Sequence, residues 1–369
     1  MKLNPKAYNL LLVISGIRMF NNYPRWTVKD VIKGLKRFPY SPVKKPAYIP
    51  NGRRNNSGLF VEDLLRHMTD EGWQLQLGLM DNGYTPYGYN FGNSLVDAEE
   101  IIKLENPGTL FIQDKREWDK DYPGQFCYDS HFVNTELLHK YVGTFKVTTT
   151  KDTHSMQKYN TTAANQIGIH AWLCYYHPAI VAATAYFVRK EHLIRIYHSI
   201  DAMCIPPLTL EREGCLLSGA VSRAYPLRNR LVENLAKLQH TKYLGHPGYG
   251  NKGASTNDYL KALTQHKVAI CTASMYGFAL RKIIEAVACG CVCITDLPID
   301  DILPEIDQCL IRVHPSITIQ DMNKLIVYHC DNYNADDALH WSRKAIDYYD
   351  YRKSAKRMVE NIEQLRLQY

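Results

Sequence analysis

Short, mostly continuous apolar or β-branched runs of strand length recur along the chain, and this feature limits its folds more than any other. They are residues 9–15 (NLLLVIS), 109–113 (TLFIQ), 145–149 (FKVTT), 193–198 (LIRIYH), 215–221 (CLLSGAV), 268–272 (VAICT), 291–295 (CVCIT) and 309–313 (CLIRV). Strands covered on both faces in a parallel sheet read this way, and the stretches between them have room for crossover helices. The pattern predicts a doubly wound α/β class. Residues 73–80 (WQLQLGLM) read as one more strand, after a helix opened by the Gly-containing loop 55–58. With 369 residues, two domains are expected. Pro206 and Pro207 stop both helix and ladder and mark the linker. The expected division is 1–205, 206–345 and a terminal helix over 346–369.

The net charge of +7 is unevenly spread. Residues 17–54 hold ten basic side chains, Lys36, Arg37, Arg53 and Arg54 among them, against the single acid Asp30. The remaining 34 basic and 36 acidic residues leave the rest of the chain at −2. This stretch sits as an insertion between first strand and first helix, with Phe20, Tyr23, Trp26, Phe38, Tyr40 and Tyr48 interleaved. It reads as a surface facing a polyanion, or as a solvated face with no ligand.

The ten cysteines show no disulfide-framework spacing. Alternation puts Cys291 and Cys293 on one strand face, unlike a zinc knuckle with its second ligand pair. Small buried thiols in a reducing, cytoplasmic setting (the host cytoplasm for a viral protein) are expected, with no metal and no cofactor. No run reaches the roughly 18 apolar residues that span a bilayer, and residues 1–20 read as a first strand rather than a signal peptide. The chain is expected to act as a monomer.

In an open parallel sheet, ligands bind beyond the carboxyl ends of the strands. In the second domain these positions include Gly219, then Arg228, then Gly277 and Phe278. Gly277 precedes a helix whose first turns carry Arg281 and Lys282, so N–H groups and two cations are expected to meet where a diphosphate rests. Glu285, four residues after Arg281, is placed to accept hydrogen bonds from a ribose diol, or to form an ordinary i,i+4 ion pair with Arg281.

Residues 281–306 (RKIIEAVACGCVCITDLPIDDILPEI) resemble the donor-binding motif of GT-B nucleotide-sugar glycosyltransferases, particularly the group-1 and spore-maturation-type domain. The elements are Arg281, Glu285, Ala286, Ala288, Gly290, Thr295 and Asp296. CLLSGAVSRAYPLR resembles the strand and phosphate-side loop that open that domain, and LIRIYHSID the strand that ends in a cleft-facing His. The resemblance implies two Rossmann-like domains facing a cleft and a nucleotide-diphosphate sugar as donor. It also implies metal-independent transfer to an acceptor hydroxyl. Family four has a second Glu where this chain has Gly277, so the resemblance carries no retaining mechanism. An inverting reaction needs a base. Asp119, Asp114 and His198 are the candidates, with salt-bridge or strand-end roles as the alternatives. With the basic insertion, the acceptor reading is a hydroxymethylated base in duplex DNA, as in phage DNA glycosyltransferases. A protein, lipid or polysaccharide acceptor, or an inactive nucleotide- or nucleic-acid-binding scaffold, is the alternative.

Overall fold

A computed structural model of the chain describes residues 9–13, 78–79, 82, 84–87, 96–97, 99, 102–103, 106–113, 132–133, 135–150, 167–184, 192–209, 211–245 and 256–369. It divides into two compact units, Met1–Ile196 with Ala355–Tyr369, and Tyr197–Ser354. The expected boundary after residue 205 therefore falls inside the second unit. A parallel bridge between Ile200 and Asp350 explains why, since it ties the segment before the prolines to the end of the second unit's helices. The terminal helix also starts later than expected, at Tyr351.

The first unit contains β1 (Asn9–Val13), β2 (Tyr84–Tyr87), β3 (Val96–Asp97), β4 (Thr109–Gln113), β5 (Phe132–Val133), β6 (Phe145–Thr149), β7 (Ala171–Cys174) and β8 (Leu193–Arg195). Six of them form one parallel sheet in the order β2-β1-β4-β6-β7-β8, and β3 pairs with β5. The short helix α1 (Pro178–Thr184) follows β7. Phe111, Phe145, Val147, Leu173 and Ile194 bury one sheet face against Ala355, Met358 and Ile362. The strand expected at residues 73–80 is not formed at its end, because Gly78 and Leu79 are helical and Asn82 closes the turn onto the Gly78 carbonyl. A short apolar run does not by itself distinguish helix from strand.

The second unit builds a five-stranded parallel sheet from β9 (Cys215–Gly219), β10 (Thr241–Gly245), β11 (Val268–Ile270), β12 (Val292–Thr295) and β13 (Leu310–Arg312), in the order β10-β9-β11-β12-β13. Its helices are α2 (Pro226–Glu233), α3 (Thr256–Thr264), α4 (Arg281–Ala288), α5 (Ile319–Asp331) and α6 (Ala335–Tyr349). Successive strand residues face opposite cores. Leu217, Ile270 and Ile294 pack with Leu227, Leu231, Met322 and Ile326 of α2 and α5. Leu216, Ala269 and Cys293 pack with Leu263, Ile283, Ile284 and Ala345 of α3, α4 and α6. Helices on both faces make this a doubly wound unit, as the apolar runs predict. The last helix, α7 (Tyr351–Arg366), passes into the first unit from Ala355.

Cys289, Cys291 and Cys293 are buried free thiols on the α3/α4/α6 side. Burial pushes the Cys291 thiol up to about 12. Among the described residues no helix is long and apolar enough to cross a membrane.

Candidate donor site

The strand order of the second unit reverses between β9 and β11, so the crevice beyond these two carboxyl ends is where a doubly wound sheet offers a ligand site. Gly219 closes β9 with φ +118°, a conformation that side chains resist. A Cβ there would lie 2.6 Å from Lys282 Nζ and 2.7 Å from Arg228 Nη1. The missing side chain is thus what lets two cations converge at the strand end.

Arg228 comes from α2, which Pro226 opens in its first turn. Its guanidinium, only 1% exposed, donates from Nη1 to the Ala220 carbonyl (2.9 Å) and from Nη2 to the Thr272 carbonyl (3.3 Å). It stacks on the Tyr225 ring at 4.0 Å. Among the described residues its Nε has no hydrogen-bond partner, and neither has the buried Thr272 hydroxyl beyond β11. Lys282 stands in the first turn of α4, 5.4 Å over the Tyr259 ring, whose hydroxyl accepts from Ser218 at 3.4 Å. Burial, then the Arg228 charge, pushes the Lys282 ammonium down to about 8. Burial likewise lowers Arg228. Among the described residues no carboxylate lies within ion-pair distance of either cation. Two desolvated positive groups with no ion-pair partner among the described residues form a place for an anion.

The loop from β11 to α4 completes the edge. Gly277 takes φ +68° and donates to the Ser274 carbonyl at 2.8 Å, so it shapes a turn. The helix starts at Arg281, four residues after that glycine rather than directly behind it. No side chain caps its first turn. Phe278 is 3% exposed and stacks on Tyr276, so its ring packs inward. Arg281 Nε meets Glu285 Oε1 at 3.1 Å, which is the ion-pair alternative for this spacing.

The structure thus brings Gly219, Arg228 and Lys282 to one strand edge and pairs Arg281 with Glu285. His198 is half-buried, three residues beyond β8. Asp114, Asp119, Lys36, Arg37, Arg53 and Arg54 lie outside the described residues. Sequence reasoning missed Thr272 and Tyr259, since nothing in VAICT or in the Tyr259 helix signals a role beyond packing.

No protein-family model and no curated protein matches the chain. Among solved structures it is similar to a glycosyltransferase from Rickettsia africae ESF-5, at 13% identity and TM-score 0.49 over 98% of this chain and 99% of that one. It is also similar to Anabaena Alr3699/HepE in complex with UDP and glucose, at 12% identity and TM-score 0.47 over 97% of this chain and 99% of that one. A third is sucrose-phosphate synthase from Thermosynechococcus elongatus, at 9% identity and TM-score 0.43 over 73% of this chain and 78% of that one.

Proposed function

We propose that the chain is a glycosyltransferase that takes a sugar from a nucleoside-diphosphate donor, with the diphosphate on Arg228 and Lys282. The observation that carries this is the convergence of these two buried cations over Gly219 at the β9/β11 reversal. In the reaction an acceptor oxygen bonds to the anomeric carbon as the bond from that carbon to the diphosphate oxygen breaks. Negative charge then grows on the leaving phosphates, and preorganised cations in a desolvated crevice stabilise it with no divalent ion needed. The acceptor proton goes to a base, for which Asp119, His198 and Asp114 are the candidates.

The acceptor we propose is a hydroxymethylated base in DNA, because residues 17–54 concentrate the chain's positive charge in one aromatic-rich stretch. UDP-glucose is the first donor to test. Calorimetry with UDP, followed by transfer assays on hydroxymethylated duplex, plain duplex, protein and glycan acceptors, decides the matter. UDP binding that Arg228→Ala abolishes, with transfer to modified duplex, is the expected result. DNA affinity should fall with salt at a log–log slope near −0.9 per phosphate neutralised, flattened by replacing Lys36, Arg37, Arg53 and Arg54 with Ala. Failure of the wild type to bind any nucleoside diphosphate would overturn the donor reading. Transfer only to protein or glycan would move the acceptor.

A further inference from the structure

We infer that Asp296 is a positioning residue for the donor site, holding the β11–α4 loop in the shape that presents Lys282; this rests on the donor reading above. Asp296 directly follows β12 and is mostly buried. Its Oδ1 accepts the Ala273 N–H at 2.6 Å, a bond between adjacent strand ends that clamps the start of the loop. The loop's middle is held from the other side, where Met275 N–H donates to the Ala224 carbonyl at 2.7 Å. Residues 220–225, which supply Ala224, also supply the Ala220 carbonyl and the Tyr225 ring that hold Arg228. One carboxylate therefore fixes a loop joined to both cations, through α4 to Lys282 and through residue 224 to the Arg228 support.

Among the described residues the charged groups acting on Asp296 are Arg228 and Arg230, both from α2. Neither forms a salt bridge with it among the described residues. Its role is thus as an acceptor for a backbone donor. A side-chain amide oxygen can replace a carboxylate in that role, whereas an apolar or shorter side chain leaves the Ala273 N–H unpaired.

The test compares Asp296→Asn with the near-isosteric Asp296→Leu and the shorter Asp296→Ser in the full chain. UDP affinity by calorimetry, donor KM and kcat, and amide exchange over residues 271–280 are the readouts. Asn is expected to keep UDP affinity within about threefold, and Leu and Ser to lose about tenfold or more. In Leu and Ser the donor KM should rise more than kcat falls, with faster exchange confined to this loop. The Ala273 amide of the wild type should itself exchange slowly, a readout needing no variant. Wild-type-like affinity and exchange in Leu and Ser, or fast exchange of Ala273 in the wild type, would overturn the inference. A wild type that binds no UDP would instead overturn the donor reading beneath it.

Discussion

Arg228 and Lys282, on different helices, place their charged ends within 2.7 Å of one point, the position where a side chain on residue 219 would begin. Gly219→Ala puts a methyl group at that point and forces an L-residue into φ +118°. Both cations must swing away. We expect UDP affinity to fall about tenfold or more and the fold to lose about 1–3 kcal/mol, read by calorimetry and thermal unfolding. Normal UDP affinity in a folded Gly219→Ala protein would show that the anion is bound elsewhere.

A buried ammonium held down to about 8 from the ordinary 10.5 makes Lys282 a stability cost while it is charged. Below pH 8 both folded and unfolded chains carry this proton. Between pH 8 and 10.5 the folded chain gives it up first, so this residue's cost fades as pH rises. Lys282→Met should therefore be more stable than wild type near pH 7, by on the order of 1–3 kcal/mol, with the gap closing toward pH 10. The same variant should bind UDP far more weakly. Denaturant titrations at pH 7 and pH 9.5 check the first statement, and a gap that widens with pH would refute it.

The Arg281–Glu285 ion pair is largely buried, which alters what single substitutions mean. Removing either partner leaves the other's charge uncompensated. Arg281→Ala and Glu285→Ala should each weaken UDP binding by about 1–3 kcal/mol, and the double variant should lose less than the two combined. Strict additivity would mean that each group touches the donor independently. No loss in either single variant would remove both from the donor site.

Much of the second unit is legible because strands buried on both faces are mostly apolar, as β9, β11 and β12 are despite Ser218 and Thr295. What escaped was at the edges. β10 (TKYLG) is an edge strand of half-exposed and exposed residues, so its Thr and Lys conceal it. β2 (YTPY) contains Pro86, which argues against a central strand and is tolerated because β2 is also an edge. Lys146, at 1% exposure in β6, has no signal in the sequence; its ammonium donates to the Tyr141 carbonyl at 2.8 Å. In the site, Arg228, Lys282 and Gly219 were each visible as types suited to a diphosphate. Their convergence was not, since Gly219 and Lys282 are joined only by the sheet's topology. The base candidates Asp114 and Asp119 fall outside the described residues.

Arg212 offers a test of the second unit alone. It donates to the carbonyls of Thr209 (3.1 Å), His266 (3.1 Å), Cys289 (2.7 Å) and Gly290 (3.1 Å), so one buried guanidinium ties the segment before β9 to the turns that follow α3 and α4. Arg212→Ala takes this donor from the Thr209 and Cys289 carbonyls, while Gly290 keeps the Tyr333 hydroxyl (2.9 Å) and His266 the Cys291 thiol (3.4 Å), and should cost about 3 kcal/mol. Lys cannot reproduce the fork and should recover only part. A loss under about 1 kcal/mol for Arg212→Ala would contradict this role.

Anion binding and the Lys282 proton must be linked. In the free protein the ammonium is held down by burial and by the Arg228 charge. A diphosphate between the two supplies negative charge in direct contact and raises the Lys282 pKa again. The phosphates of UDP change little in this range, because the second ionisation of a phosphate lies near about 6 and is already complete; the uracil N3–H does ionise at alkaline pH, so the Lys282→Met protein supplies the baseline. Affinity should therefore be level from pH 7 to about 8 and then fall by up to about tenfold per pH unit as the free protein loses its proton first. Binding at pH 9 should take up a fraction of a proton, seen as a dependence of the calorimetric heat on the buffer's ionisation enthalpy. Lys282→Met should bind weakly and keep only the part of the pH dependence that comes from the uracil ring. If the variant and the wild type lose affinity along the same pH curve, the titrating group is another one, and Lys282 does not contact the diphosphate.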